Sequence, residues 1–460
     1  MGSLKSYVEY KEIDLPWLQS IPSNWMVGRN KLVMKPKKNR VGETHKSMVL
    51  LSLTKQGIIA RDMVGLKGKY PSDFDAYQAV QDGDIIFCLF DIDETPRAVG
   101  LSKLNGMITG AYSVFEIEGV NKSFLYYYYI VIDNNKLLKP YYKGLRKVVN
   151  VDTFLRLKLP LPPKEEQDQI VRYLDSKLAK INKFIKNKKR LIELLKEQKQ
   201  AVINQAVTKG LDPDAKMKPS GVEWLGDVPE GWDILYLFQT AKNQRISNKL
   251  IKNNNRLSLS YGKIVARDIN STDGLLPTSF DTYQVVKDGN IILRLTDLHN
   301  DHTSLRVGLV TQEGIITSAY TCLKVGTERI IPSYMYLLLH VYDIRKVFYG
   351  MGSGVRQSMS FADIKKLPLC IPPIQEQQDI IKGCNKATNT IDNQVALINK
   401  EISLITEYRT SLISAVVTGK VDVRGIVVEE PPVEDLAELE PAELEADELQ
   451  EDNLLESEVN

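Results

Sequence analysis

A chain of 460 residues that is 43% hydrophobic has room for two or three domains with substantial cores, which excludes a wholly disordered protein. Its formal net charge of +2 conceals a segregation: 14 Asp and Glu but no Lys or Arg lie in 427–460, leaving 44 acidic against 60 basic side chains in 1–426. So basic a body points to a polyanionic partner, with solubility alone as the plainer explanation. No run of about 18 apolar residues occurs, so no membrane span is expected, and Met1 to Tyr10 lack a signal-peptide core. Cys88, Cys322, Cys370 and Cys384 are scattered singly. That pattern suggests neither a disulfide framework nor a zinc site, and fits a reduced, cytoplasmic setting.

In chain order, the sequence repeats itself. Trp17-Leu18-x-x-Ile21-Pro22-x-x-Trp25 recurs as Trp224-Leu225-x-x-Val228-Pro229-x-x-Trp232, using all four tryptophans of the chain. Leu53 to Asp62 parallels Leu259 to Asp268, and Phe74 to Phe87 (FDAYQAVQDGDIIF) parallels Phe280 to Leu293 (FDTYQVVKDGNIIL). Val99-Gly100-Leu101, Ile108-Thr109 and Ala111-Tyr112 match Val307-Gly308-Leu309, Ile316-Thr317 and Ala319-Tyr320. Pro162-Pro163-x-x-Glu166-Gln167 matches Pro372-Pro373-x-x-Glu376-Gln377. The offset drifts only from 206 to 210 residues, so the small insertions belong in loops.

Each half therefore follows one plan. Apolar runs bounded by Asp-Gly and similar turn signals, such as Asp84 to Phe87, predict strands. Ser123 to Val131 and Pro332 to His340 predict helices, although Tyr126 to Tyr129 suit a strand equally well. A double proline closes each globular part and opens a long helix. In the first helix, Leu174, Leu178, Ile181, Ile185, Ile192, Leu195, Val202 and Ala206 fall at alternating spacings of four and three, interrupted at Lys188 and Lys199. Adding 210 gives Cys384, Thr388, Ile391, Val395, Ile402, Ile405, Leu412 and Val416, with Ile398 and Arg409 at the interruptions. So narrow an apolar stripe needs a partner, and an antiparallel pairing of the two helices is the expectation. The expected fold class is α+β: two repeated mixed α/β domains separated by a pair of long antiparallel coiled-coil helices. The expected boundaries are 1–163, 164–212, 213–373 and 374–424, followed by an acidic, disordered tail over 425–460 that solubilises the chain or lies over its basic surface.

Catalytic signatures are missing. The chain has no Asn/Asp-Pro-Pro-Tyr/Phe loop of the kind that holds a flipped base's amino group, and no G-x-x-x-x-G-K-[ST] nucleotide loop. Gly350 to Gly354 follows no clear strand. His299-Asn300-Asp301-His302 lacks further Cys or His for a metal. Asp91, Asp93 and Glu94 are matched in the second half only by Asp297, so they read as a loop. The expectation is no catalytic residue, no bound cofactor and no metal.

The ordered motif set, present twice over residues 1 to about 426, resembles the specificity subunit of Type I restriction–modification systems. That resemblance implies two target-recognition domains, each reading half of a bipartite site in double-stranded DNA. It also implies spacer helices that set the half-site separation and dock two modification (methyltransferase) subunits. Those partners would carry S-adenosylmethionine and methylate adenine, and a translocating restriction subunit can join them. The acidic tail departs from the pattern. A two-headed coiled-coil scaffold that binds proteins rather than DNA is the alternative.

Three places in each half put basic or amide side chains beside turns, and they are the expected DNA contacts. The first comprises Arg61, Lys67 and Lys69, matched by Arg267, although Arg61-Asp62 and Arg267-Asp268 also suit internal ion pairs. The second, after the D-G-x-I-I strand, comprises Arg97, and Arg294, His299, Asn300 and Arg306. The third is Gly144-Leu145-Arg146-Lys147, matched by Gly354-Val355-Arg356-Gln357, where a Gly-x-Arg turn suits a phosphate. The tryptophans are expected to pack each domain entry against a spacer helix.

Overall fold

The computed structural model describes residues 5–61, 74, 76–270, 277, 279–298, 305–351, 358–429 and 432. The chain divides into two compact units. One holds Met1–Lys189 with Asn399–Ala446, the other Arg190–Ile398 with Asp447–Asn460. Each unit thus combines one globular region with parts of both long helices.

In the first unit, one four-stranded sheet runs in the order Gly57–Arg61, Leu50–Thr54, Gly106–Ile108, Gln78–Val80. A second runs Met34–Lys37, Ser113–Ile117, Ile85–Phe87, Val99–Leu101. The second unit repeats both orders, with Lys263–Arg267, Arg256–Ser260, Gly314–Ile316, Gln284–Val286, and with Ala241–Asn243, Thr321–Val325, Ile291–Leu293, Val307–Leu309. Ile85, Ile86 and Phe87 are all buried, as are Ile291, Ile292 and Leu293, so both faces of these strands are covered. The tyrosine run is helical, within Lys122–Asn134, and its counterpart is Pro332–Ile344. Burial on every side explains the ambiguity of the run, because a helix covered all round carries no amphipathic stripe. In the run, Tyr127 donates to Asp175, Tyr129 donates to Asn30, and Tyr128 accepts from the Trp17 indole.

The repeated motifs turn out to be scaffold. Trp25 is fully buried and donates to Glu166 Oε1 at 2.7 Å; Trp232 donates to Glu376 at 3.0 Å. The neighbouring Gln167 donates to Pro162 O and accepts from Asn121 N, while Gln377 donates to Pro372 O and accepts from Ile331 N. The P-P-x-x-E-Q sequence therefore fastens each long helix to its domain through one carboxylate and one amide. Gln78 Nε2 of F-D-x-Y-Q donates to Tyr112 O, and Gln284 Nε2 to Tyr320 O, each at 2.7 Å. Gly100 and Gly308 keep the sheets close: a Cβ there would press on Ile58 and Leu53, or on Ile264 and Leu259.

The long helices span Lys164–Lys209 and Ile374–Val417. In the first unit, Leu174, Leu178 and Ile181 share a core with Leu412, Ile413 and Val416, and Lys188 pairs with Glu401 at 2.7 Å. In the second, Lys199 pairs with Asp392 at 2.7 Å. Residue numbers fall on one helix as they rise on the other, so the pairing is antiparallel in both units. The two lysines that interrupt the first heptad pattern are the ones that form these ion pairs. Toward its end the first helix buries Ile203, Ala206 and Val207, whereas Val202 is only partly covered. There the stripe shifts by one residue as the helix turns from its partner helix to the domain. No helix among the described residues is long and apolar enough to cross a membrane, and all four cysteines are buried and unbridged.

Candidate nucleic-acid interface

In the first unit the interface is built around a pinned hairpin. Lys143 and Val148 exchange backbone hydrogen bonds, each at 3.0 Å, leaving Gly144 to Lys147 as the tip. Gly144 (φ 70°) and Lys147 (φ 45°) adopt left-handed conformations. Leu145 is completely exposed. The Arg146 guanidinium donates twice to Asp91 Oδ2, at 2.9 and 3.2 Å, and lies over the Phe90 ring, 5.0 Å from its centroid. Phe90 in turn stacks on Tyr112 at 6.1 Å. Burial pushes the Tyr112 hydroxyl's pKa up, and the positive charge of nearby Arg61 acts against that shift. Arg61, at the end of its strand, and Arg146, at the hairpin, are thus brought to one aromatic ladder, from two places far apart in sequence.

The acidic loop beside them is held by the same hairpin. Lys147 reaches Asp93 at 3.4 Å and Glu94 at 3.6 Å, and Lys139 reaches Asp93 at 3.7 Å. Desolvation raises the Asp93 pKa, but Lys139 and Lys147 outweigh it and hold the carboxyl below its ordinary range. Asp91 and its counterpart Asp297 both have positive φ, 47° and 58°. Their recurrence therefore reflects a backbone turn that Asp tolerates. Among the described residues no three His, Cys, Asp or Glu side chains gather into a metal-binding group.

Two expected contacts are corrected. Arg97 is 2% exposed, with Nη1 donating to Asn134 at 2.9 Å and lying 3.8 Å from Asp133. Arg306 is fully buried. It donates to the carbonyls of Thr296, Asp297 and Arg294 and to the Tyr349 hydroxyl, at 2.7 to 3.3 Å. These guanidiniums hold their loops from within and are turned away from any ligand. Arg294 is half-buried, and its N–H donates to Arg306 O. In the other half Arg267 is half-buried opposite Arg256 across a strand pair, and Asp268 accepts from Asn270 N, a local turn rather than an anchor for the arginine. Lys67, Lys69, His299, Asn300, Arg356 and Gln357 lie outside the described residues, as do Asp62, His302 and most of the Gly350–Gly354 loop.

Comparison with known proteins bears on this arrangement. The family model described as "Type I restriction modification DNA specificity domain" matches residues 106–194. The type I restriction enzyme MjaX specificity subunit of Methanocaldococcus jannaschii is 24% identical, covering 88% of this chain and 95% of that protein. The MjaVIII specificity subunit of the same organism is 26% identical over 63% of this chain and 69% of its own. The chain is thus similar to Type I specificity subunits along most of its length. A solved structure described by the assembly and conformational transition of the type I R-M system shares its fold, with a TM-score of 0.62 at 13% identity over 87% of this chain and 99% of that one.

Several residues that matter most to the loops escaped the sequence reading. Asp133 Oδ2 accepts from Ala98 N at 2.8 Å, and its counterpart Asp343 Oδ2 accepts from Arg306 N at 2.6 Å. Each buried carboxylate ties the loop after the D-G-x-I-I strand to a core helix. The signal was present as an acid at offset 210 in two largely apolar helices, Lys122–Asn134 and Pro332–Ile344. Phe90 and Tyr112 are visible only through their stacking.

Proposed function

We propose that this specificity subunit reads a bipartite site in double-stranded DNA, one half-site per globular domain, and brings modification subunits to it. The observation that carries this reading is the division between repeat and non-repeat. Most of the motif residues shared by the halves, such as Trp25, Gln78 and Glu166 with their counterparts, serve as scaffold, whereas the polar sequences between the motifs differ, as two dissimilar half-sites require. Backbone phosphates would be held by exposed Arg61 and Arg146 and half-buried Lys147 in the first domain and by Arg267 and Arg356 in the second. Base edges would be read from the divergent loops carrying Lys67, Lys69, Arg294, His299, Asn300 and Gln357. The long helices act as the spacer and dock two modification subunits. Those subunits supply S-adenosylmethionine and the methyl transfer to adenine, and a restriction subunit can join the complex in the cytoplasm.

Methylation-sensitive sequencing of DNA from cells carrying this chain and its modification partner tests the proposal. The expected result is methyladenine in a split motif that disappears when this chain is deleted. Methylation indifferent to the deletion, together with salt-independent partner binding and no affinity for duplex DNA, would leave a protein scaffold instead.

A further inference from the structure

Both units build the same backbone clamp, beside the edge strand opposite Arg61 or Arg267 in the sheet that carries that arginine. In the first unit, Val41 N donates to Tyr77 O at 3.0 Å and Ala79 N to Asn39 O at 2.8 Å, around a bridge between Arg40 and Gln78. In the second, Asn248 N donates to Tyr283 O at 2.9 Å and Val285 N to Ile246 O at 2.7 Å, around a bridge between Ser247 and Gln284. The side chains mounted on the two clamps differ in identity and agree in sign. The first presents Lys38 and Arg40, the second Arg245 and Lys249, and all four are exposed. Among the described residues, none of these four side chains has a hydrogen-bond or ion-pair partner.

In the second unit the clamp borders a groove of about 510 Å³ between 245–249 and 279–284. Its walls are tied together without a ligand: Ser247 Oγ donates to Asp281 O at 3.1 Å, and Lys252 donates to Asp281 Oδ1 at 2.6 Å. Lys252 holds the Asp281 carboxyl below its ordinary range. The one acid lining the groove is therefore already matched, and Arg245 and Lys249 leave the groove positive. Ser279, Thr282 and Tyr283 add hydroxyl donors. Sites for small metabolites are lined mainly by apolar and aromatic side chains, whereas every lining residue here is polar or charged except for the ring of Tyr283. An open, donor-rich, positive groove suits a phosphate backbone instead. It lies four strand spacings, about 19 Å, across the sheet from Arg267, and so is a contact apart from that one.

We infer that Lys38 and Arg40 in the first domain, and Arg245 and Lys249 in the second, hold backbone phosphates of double-stranded DNA. The inference rests on the DNA reading above and extends its interface to the far edge of each sheet. A fixture common to two domains with different half-sites carries no base information, so it holds the duplex and does not read it.

Fluorescence anisotropy tests this, with the full chain assembled with its modification partner, on a duplex bearing the methylated motif and on a random duplex, at several salt concentrations. R245A/K249A and K38A/R40A should each weaken binding to both duplexes about tenfold at low salt and lower the salt slope by about two. Melting temperatures should not move, because the four side chains support nothing else in the fold. R245K/K249R should keep the original slope, because counterion release follows charge. Unchanged affinity and slope in either alanine pair overturn the inference, and so does a loss confined to one base pair of the motif. Saturable binding of inorganic pyrophosphate that R245A/K249A abolishes at unchanged duplex affinity also overturns it, and makes the groove a site for a free phosphate ester. If the unaltered complex binds no duplex, the DNA reading fails and this inference with it. Duplex binding that survives both alanine pairs sinks this inference alone.

Discussion

Replacing Arg306 with leucine separates holding from reading. Its guanidinium is fully buried and donates to Thr296 O, Asp297 O, Arg294 O and Tyr349 Oη. Each is worth about 1 kcal/mol net, and a stranded buried carbonyl costs about 1–3 kcal/mol. Leucine recovers some apolar contact, so the net loss should be about 4 kcal/mol, at the upper end for a point substitution. For a domain of this size that is a fall of about 10 °C in the second domain's melting transition. Calorimetry of the full chain measures it, alongside binding to a panel of single-base variants of the site. The second half-site should lose affinity for every variant alike, because the 294–298 loop loses its internal support. An unchanged melting temperature with relaxed preference at a single base pair would refute the reasoning and make Arg306 a reading residue.

Arg146→Ala should cost little stability, because the side chain is 69% exposed and its pair with Asp91 is largely screened, yet it should weaken binding to all sequences and lower the salt slope by about one. Exchanging residues 26–160 for the matching region of a relative should change one half of the methylated motif only, read by methylation sequencing. Inserting seven residues at matched positions of both long helices should change the number of unread base pairs and keep the read ones, whereas four should break the heptad phase and the complex. Burial pushes the His340 pKa down to about 4, so the folded chain holds the ring neutral where the unfolded chain binds a proton. Stability should therefore be full above pH 6.5 and decline as pH falls toward 4, by about 2 kcal/mol at pH 5. The decline should shrink in His340→Gln, measured by urea unfolding at pH 7 and pH 5.

The antiparallel helices were legible because a coiled coil is written in local spacing. Even the interruptions at Lys188 and Lys199 had a meaning, supplied once Glu401 and Asp392 were found opposite them. Trp25 and Trp232 pack against the long helices as read, with Glu166 and Glu376 accepting from their indole N–H groups, whereas Trp17 donates to Tyr128 and Trp224 meets Tyr342, both on the shorter core helices. The arginines were less legible. Arg97 and Arg146 look alike in sequence, each beside a turn and close to acids, yet one is 2% exposed and the other faces solvent. Whether a guanidinium points in or out depends on a carboxylate about 36 residues away on a core helix, and no local pattern carries that distance.

By itself the sequence determined the tandem repeat, the α+β class, the two long helices with their shared register, and the absence of catalytic loops. All of these rest on periodicity or on short motifs, which survive without knowledge of the fold. The tertiary structure decided which globular region packs on which helix segment, that the shared motifs are internal fastenings, and which cations remain outside. These depend on pairings such as Gln78 with Tyr112, Asp343 with Arg306 and Gln169 with Val423, made by residues that only folding brings within hydrogen-bond reach.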